Sequence, residues 1–161
     1  MILLDTNVLI YAADERSKYC RWARRMIAEG VSGDGAAVNA VSLAEVCVGD
    51  AEPQTVADRI RSWGVVVMDV PAAAAEICAR AYLAYRMRRK VDSGKDAPAV
   101  PLPDFFIGAH AQIMEWTLVT ADEGRYKTYF PAVPLKLPPS LPEELSTVRE
   151  SRAVYRTRRK K

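Results

Sequence analysis

The chain has 161 residues, a length that predicts one domain with enough interior for a stable apolar core. Half of the residues are apolar and 27% are charged, which excludes a mainly disordered chain, and no uncharged stretch reaches the length of a membrane helix. The net charge of +3 is uneven, because residues 141–161 carry seven Lys or Arg against three Asp or Glu. Such a basic end is typical of contact with a polyanion, and also of a plain solvated terminus.

The cysteines and the N-terminus bear on the cellular compartment. Cys20, Cys47 and Cys78 are odd in number and widely spaced, which indicates free thiols in a reducing compartment and argues against a disulfide or zinc framework. The opening Met-Ile-Leu-Leu-Asp lacks the basic region and the cleavage site of a signal peptide. These features predict a cytoplasmic protein.

Apolar spacing predicts strands and helices that alternate along the chain. The predicted strands cover residues 2–4, 36–39, 65–68, 117–120 and 133–137. The predicted helices cover residues 8–13, 18–29 (ended by Gly30), 42–47, 53–63, 71–90 and 104–116, with a proline-containing loop over 91–103. This alternation predicts an α/β fold of three layers, α/β/α, in which helices cover both faces of a mainly parallel central sheet. We assign residues 1–138 to the domain and residues 139–161 to a charged, basic C-terminal extension.

Four acidic residues stand at junctions between predicted elements, and each has an ordinary structural explanation. Asp5 and Asp104 are suited to cap the helices that follow them. Glu45 fits a capping box with Ser42, in which its carboxylate would bond back to the Ser42 amide. Asp122 fits a turn after a strand. For any one of these residues taken alone, a capping or turn role is more common than a functional role.

Taken together, the four acids favour a metal site. Asp5 and Asp122 follow apolar strands, and open α/β sheets bind ligands outside the carboxyl ends of their strands. Asp104 would face the same crevice from the start of a helix. Carboxylates that converge without basic partners repel one another and gather divalent cations, with Mg²⁺ or Mn²⁺ preferred over zinc. His110, the only histidine, lies in an apolar segment and is interpreted as a packed or surface side chain, not as a catalytic base.

Four segments follow one another in a definite order: Asp5-Thr6-Asn7, Ser42-Leu43-Ala44-Glu45, residues 103–111 and Leu118-Val119-Thr120-Ala121-Asp122. In their content and order these segments resemble PIN domains, and together with their surroundings they cover about residues 1–138. The closing segment, residues 125–131, is similar to that of VapC-type toxins in particular. The loop over 91–103 is longer than this family leads us to expect.

The resemblance implies a Mg²⁺- or Mn²⁺-dependent endoribonuclease of a type II toxin–antitoxin system. The acidic positions that would bind the metal and carry catalysis are Asp5, Glu45, Asp104 and Asp122, and the supporting polar positions are Thr6, Asn7 and Thr120. The implied reaction is hydrolysis of an RNA phosphodiester bond by water, with a 5′-phosphate on one product. The implied partners are RNA, a protein antitoxin that blocks the pocket, and a second copy in a homodimer, with no membrane involved.

Two other classes of phosphate-binding enzyme fit the sequence less well. A haloacid-dehalogenase-like phosphatase needs a second aspartate where this chain has Asn7, and no P-loop sequence is present. A PIN-like module that binds RNA or supports assembly without nuclease activity stays open as the alternative.

Several surfaces have two interpretations from sequence alone. Trp22 and Met26 either line a groove for an antitoxin helix or belong to the core. The arginines at 16, 21, 24 and 25 either contact phosphates or form a solvated helix face. Residues 151–161 contain six Lys or Arg and no acid, and we hypothesise that they contact RNA phosphates without choosing sequence.

Overall fold

The structure is a computed structural model, and it describes residues 1–139. Strands and helices alternate along the chain, as predicted. In chain order the elements are β1 (Ile2–Leu4), α1 (Thr6–Ala13), α2 (Cys20–Ser32), β2 (Ala36–Asn39), α3 (Ala40–Val48), α4 (Pro53–Ser62), β3 (Val66–Met68), α5 (Ala74–Ser93), α6 (Pro103–Met114), β4 (Thr117–Val119), α7 (Glu123–Tyr129) and β5 (Leu135–Lys136). In this part of the chain, no helix is long and apolar enough to cross a membrane.

Five parallel strands form one sheet in the order β3-β2-β1-β4-β5, which confirms the predicted parallel sheet. The chain runs outward from β1 to β3 on one side and then places β4 on the other side of β1. Leu3 pairs with Leu118 and Leu4 with Val119, which fixes the register between these two central strands. The crevice outside their carboxyl ends is a topological switch point, where open α/β sheets bind their ligands.

Successive residues of the two central strands, β1 and β4, enter different apolar cores on the two faces of the sheet. Leu4 and Val119 pack with residues of α1, α2 and α4, whereas Leu3 and Leu118 pack with residues of α5, α6 and α7. All four side chains are fully buried. A strand that is covered on both faces reads as a continuous apolar run, which is why these short strands are recognisable in the sequence. The predicted three-layer arrangement is confirmed.

Helix α2 continues through Gly30 and ends at Ser32, so the predicted helix end at Gly30 is wrong. Gly30 is buried, and a Cβ built there would lie 2.5 Å from Cδ1 of Ile2. Glycine is therefore needed for the close approach of α2 to β1 and does not terminate the helix. Gly33 is the C-cap instead.

The sequence analysis did not predict α7, which follows β4 with Asp122 as its N-cap. Its seven residues are too few to show a clear helical period. Helix α5 extends to Ser93, beyond its predicted end, and Gly94 follows it with a left-handed φ of 66°. The connection from α5 to α6 is held by Tyr82, whose hydroxyl donates to the carbonyl oxygen of Pro98 at 2.7 Å.

The predicted basic extension, residues 139–161, lies outside the described residues from position 140 onward. The hypothesis that its basic end contacts RNA also concerns residues outside the described part. The division of the chain at residue 138 stays a prediction.

Gly108, in the middle of α6, gives a test of how tightly α6 packs against the segment after α7. A Cβ built at Gly108 would lie 2.4 to 2.8 Å from three ring atoms of Phe130, a fully buried side chain. We expect Gly108→Ala to lower the free energy of unfolding by about 1–3 kcal/mol, because the ring or the backbone must move. Urea unfolding followed by circular dichroism measures this change.

Gly124→Ala is the matched control for that substitution. Gly124 also lies in a helix, but the nearest atom to its Cβ position is Oδ1 of Asp122 at 3.8 Å. Alanine there should leave stability unchanged or raise it by up to about 1 kcal/mol, because glycine loses more backbone entropy on folding. Equal effects of the two substitutions would contradict the packing argument.

Candidate metal centre

The candidate site lies outside the carboxyl ends of β1 and β4. Asp5 follows β1 and is the N-cap of α1, and Asp122 follows β4 and is the N-cap of α7. Glu45 lies on α3, and Asp104 is the second residue of α6. Each of the four predicted acids is connected to this edge of the sheet by a hydrogen bond or an ion pair.

Asp5 is 3% exposed, and three groups donate hydrogen bonds to its carboxylate. The backbone N–H of Thr6 donates to Oδ1 at 2.7 Å. The Nδ2 group of Asn7 and the hydroxyl of Thr120 both donate to Oδ2, at 2.5 and 2.6 Å. A buried charge is tolerated only where such donors surround it. The predicted capping role of Asp5 is confirmed, and it coexists with a central place in the site.

Burial raises the pKa of the Asp5 carboxyl above its ordinary value, and the negative charge of Glu45 acts in the same direction. The hydrogen bonds from Thr120 and Thr6 and the nearby Tyr126 hydroxyl act against this rise without cancelling it. A positive ion beside this carboxyl would favour its charged form and so offset the cost of burial.

The hydroxyl of Thr120 joins the ends of the two central strands. It donates to Asp5, and it accepts hydrogen bonds from Nδ2 of Asn7 at 3.2 Å and from the backbone N–H of Asp122 at 3.0 Å. Oδ1 of Asn7 accepts from the backbone N–H of Ala121 at 3.1 Å. The predicted supporting residues Asn7 and Thr120 therefore connect α1 to the segment that carries Asp122.

Glu45 does not form the predicted capping box. The N-cap of α3 is Asn39, whose Oδ1 accepts from the backbone N–H of Ser42 at 2.9 Å, so Ser42 lies inside the first turn. The carboxylate of Glu45 instead accepts the hydroxyl of Thr6 at 2.6 Å, across 39 positions of sequence. This contact brings Glu45 to the start of α1, beside Asp5.

Asp104 is not the predicted N-cap of its helix either. Leu102 holds that position, and Pro103 begins α6. The Asp104 carboxylate forms an ion pair with Arg125 of α7, and the two side chains are 23% and 32% exposed. The prediction of acids without basic partners is therefore wrong for Asp104, which pairs with Arg125.

Tyr126 is a second residue of α7 that the sequence analysis did not assign to the site. It is fully buried, and its hydroxyl lies next to the Asp5 carboxyl but completes no hydrogen bond with any group of residues 1–139. Burial, with the nearby charge of Asp5, raises the pKa of this phenol well above its ordinary value, so it stays a hydrogen-bond donor. A prediction of Asp122 as an N-cap would have placed both Arg125 and Tyr126 at this edge.

The donor chemistry of the site fits a hard divalent cation, because the four acidic residues offer carboxylate oxygens. Within residues 1–139, no three His, Cys, Asp or Glu side chains lie close enough together to ligate one ion. Other side chains contact these acids instead. The Thr6 hydroxyl donates to Glu45, the Thr120 hydroxyl donates to Asp5, and the Arg125 guanidinium pairs with Asp104. The oxygen chemistry and the buried Tyr126 hydroxyl, which has no hydrogen-bond partner within residues 1–139, fit a hard cation, although the four carboxylates do not form one ligand set in this structure.

His110 is a core residue, which confirms its interpretation as a packed side chain. It is fully buried, and its ring lies 5.8 Å from that of Trp116, centre to centre. Burial lowers the pKa of the imidazole, and neither ring nitrogen has a hydrogen-bond partner among the described residues. It does not contribute to the acidic site.

Comparison with known proteins identifies one family and several similar folds. The model of the PIN domain family matches residues 2–131. A comparison with curated protein sequences finds no match.

Several solved structures share the fold. VapBC2 from Rickettsia felis, bound to a DNA fragment of its promoter, is 22% identical with a TM-score of 0.57, and the match covers 85% of this chain and 98% of that chain. FitAcB from Neisseria gonorrhoeae is 23% identical with a TM-score of 0.54, over 88% and 100% of the two chains. VapC20 from Mycobacterium tuberculosis, a sarcin–ricin loop cleaving toxin, is 16% identical with a TM-score of 0.55, over 83% and 99%. At these identities the likeness establishes the fold.

The three hydrogen bonds of the Thr120 hydroxyl predict a large effect of its removal. Thr120→Val keeps the shape of this fully buried side chain but deprives Asp5 of a donor and two other groups of an acceptor. We expect the free energy of unfolding to fall by about 1–3 kcal/mol, as is usual when buried polar groups lose their partner. Urea unfolding at neutral pH measures the loss.

Thr128→Val provides the matched control. The Thr128 hydroxyl donates to the carbonyl oxygen of Gly124 on the exposed face of α7, away from the buried carboxylate. Exposed substitutions of this kind change stability by about 0.5 kcal/mol or less. If Thr120→Val were no more destabilising than this control, the Thr120 hydroxyl would not be supporting the Asp5 charge.

Proposed function

The chain belongs to the PIN domain family, and on this basis we propose that it is a divalent-cation-dependent endoribonuclease, the toxin of a type II toxin–antitoxin pair. The observation that carries the proposal is the buried carboxylate of Asp5 at the switch point of the sheet, with Glu45 connected to it through Thr6 and Asp122 through Thr120. The toxin and toxin–antitoxin complexes among the similar folds support it, and one of them is a sarcin–ricin loop cleaving toxin.

The residues proposed to hold Mg²⁺ or Mn²⁺ are Asp5, Glu45, Asp104 and Asp122. A cation bound there would polarise a scissile phosphodiester and lower the pKa of an attacking water molecule. The protein's own contribution is to fix the ligands before substrate arrives: three donors hold Asp5 in one orientation, and the hydroxyl of Thr6 orients Glu45. Ligands fixed in this way need little reorganisation during the reaction.

A groove between α1, α2 and α4 is the proposed docking site for the antitoxin. It has a volume of about 440 Å³, and its lining includes apolar Ala13, Ile27 and Trp63 together with the arginines at 24 and 59. An amphipathic antitoxin segment with acidic residues would match this combination of apolar floor and positive charge. Trp22 and Met26 are only 6% and 5% exposed, so they belong to the core and do not line the groove.

The remaining partners and the compartment complete the proposal. The substrate is RNA, and a homodimer is the proposed assembly. Cys20, Cys47 and Cys78 are free thiols, which agrees with the reducing environment of the cytoplasm as the proposed location.

Glu45→Gln tests the proposed nuclease activity with the least disturbance to the fold. The side chain is exposed, and glutamine keeps an oxygen that can accept the Thr6 hydroxyl. We expect cleavage of a labelled single-stranded RNA pool in Mn²⁺ to fall at least about 100-fold, because a charged ligand is lost. Mn²⁺ should raise the Tm of the wild type and should raise that of the variant less.

Glu76→Gln is the control, since Glu76 lies on α5 in an exposed ion pair with Arg80 and should not affect either measurement. Asp5→Asn is less suitable, because all three partners of Asp5 donate hydrogen bonds and an amide nitrogen would face one of them. RNA binding without cleavage, and a Tm that does not respond to Mn²⁺, would support the alternative of a non-catalytic RNA-binding module.

The proposed groove predicts an effect of charge at Arg59. Arg59→Glu should weaken binding of the antitoxin about tenfold or more in a titration, because the new carboxylate would repel the acidic residues of the antitoxin segment. Arg61→Glu, on the same helix but paired with Asp58, is the control and should bind as the wild type. Equal affinities of both variants would place the antitoxin elsewhere.

A further inference from the structure

The ion pair of Arg125 with Asp104 differs from the other ion pairs of the described residues. Its side chains are 32% and 23% exposed, whereas every other paired side chain within residues 1–139 is at least 46% exposed. In this part of the chain, Arg125 is also the only basic residue paired with any of the four site acids. A single guanidinium therefore sits within an otherwise acidic site.

The local fold explains how Arg125 reaches this position. Asp122 caps α7 directly after β4, which places Arg125 in the first turn, next to Tyr126. Tyr126, the next residue, is the buried side chain whose hydroxyl lies beside Asp5, while the Arg125 side chain reaches Asp104 of α6. Arg125 thus joins the start of α7 to the acid carried by α6.

The fit of the Phe130 ring against Gly108 joins this region to α6 independently of the ion pair. Partly exposed ion pairs contribute little to stability. Asp104 is, however, one of the proposed cation ligands, and a carboxylate that turns to a cation releases the arginine. A released guanidinium has a planar set of N–H donors that suits the oxygens of a phosphate.

We infer that Arg125 is a phosphate-binding residue that exchanges partners. It pairs with Asp104 in the cation-free protein and binds a phosphate of the nucleic-acid substrate when a divalent cation takes Asp104. The inference rests on the proposed function, because it needs the cation site. It predicts opposite effects of one substitution: loss of Arg125 strengthens cation binding and weakens phosphate binding.

Calorimetry with two separate probes tests this exchange on the full chain. MnCl₂ is titrated first into the wild type, Arg125→Gln, Arg125→Lys and Lys127→Gln. Adenosine 5′-monophosphate, which has a phosphate but no internucleotide bond, is then titrated into each protein at saturating Mn²⁺, with a protein-free blank. Lys127→Gln removes the same charge from the same helix, where Lys127 pairs with Glu123.

We expect Arg125→Gln to bind Mn²⁺ about three- to fivefold more tightly than the wild type, because the competitor for Asp104 is gone. We expect it to bind the nucleotide about tenfold more weakly, because a charge-assisted hydrogen bond is lost. Arg125→Lys should have Mn²⁺ and nucleotide affinities between those of the wild type and Arg125→Gln, since lysine keeps the charge but not the planar donors. Lys127→Gln should match the wild type in both titrations.

Two results would overturn the inference while the cation site stands. Nucleotide affinity that is equal in Arg125→Gln and wild type would reduce Arg125 to a structural ion pair, whatever happens to Mn²⁺. Mn²⁺ affinity that is unchanged in Arg125→Gln and Arg125→Lys would show that Arg125 does not compete for Asp104. A wild-type protein that binds no Mn²⁺ would overturn the proposed function and this inference with it.

Discussion

The need to satisfy one buried carboxylate governs the geometry of this end of the molecule. Asp5 is almost completely removed from solvent, and an ionised carboxylate in that position is costly unless donors surround it. Two donors, Thr6 and Asn7, come from the helix that Asp5 caps, and the third, Thr120, directly follows the other central strand, 115 positions away. Satisfying this charge therefore ties the first strand to the fourth and sets where Asp122 begins its helix.

The sheet could be predicted from the sequence, whereas several helix ends could not. Residues 2–4 and 36–39 form strands as predicted, because short apolar runs covered on both faces have few other uses. Helix ends depend on neighbours that are distant in sequence. Gly30 lies inside its helix because Ile2 packs against it, and Asn39 takes the cap that Ser42 was expected to provide.

The four acids could be found by their place after apolar segments and by the resemblance to PIN domains, but their partners could not. Glu45 contacts Thr6 across 39 positions, and the local capping pattern points to a different partner. Arg125 and Tyr126 belong to a helix of seven residues, too short to be recognised by its period. The pairing of Arg125 with Asp104 depends on how two helices meet, which no local pattern records.

The starts of α1 and α6 have an electrostatic consequence for the acidic edge of the sheet. Asp5 caps the first helix and Asp104 lies in the first turn of the second, so each carboxylate lies at the positive end of a helix macrodipole. Each such end is equivalent to roughly half a positive charge. The backbone thus offsets part of the repulsion between the acids without any basic side chain. A polyanion approaching this edge meets a weaker opposing field than the count of carboxylates implies.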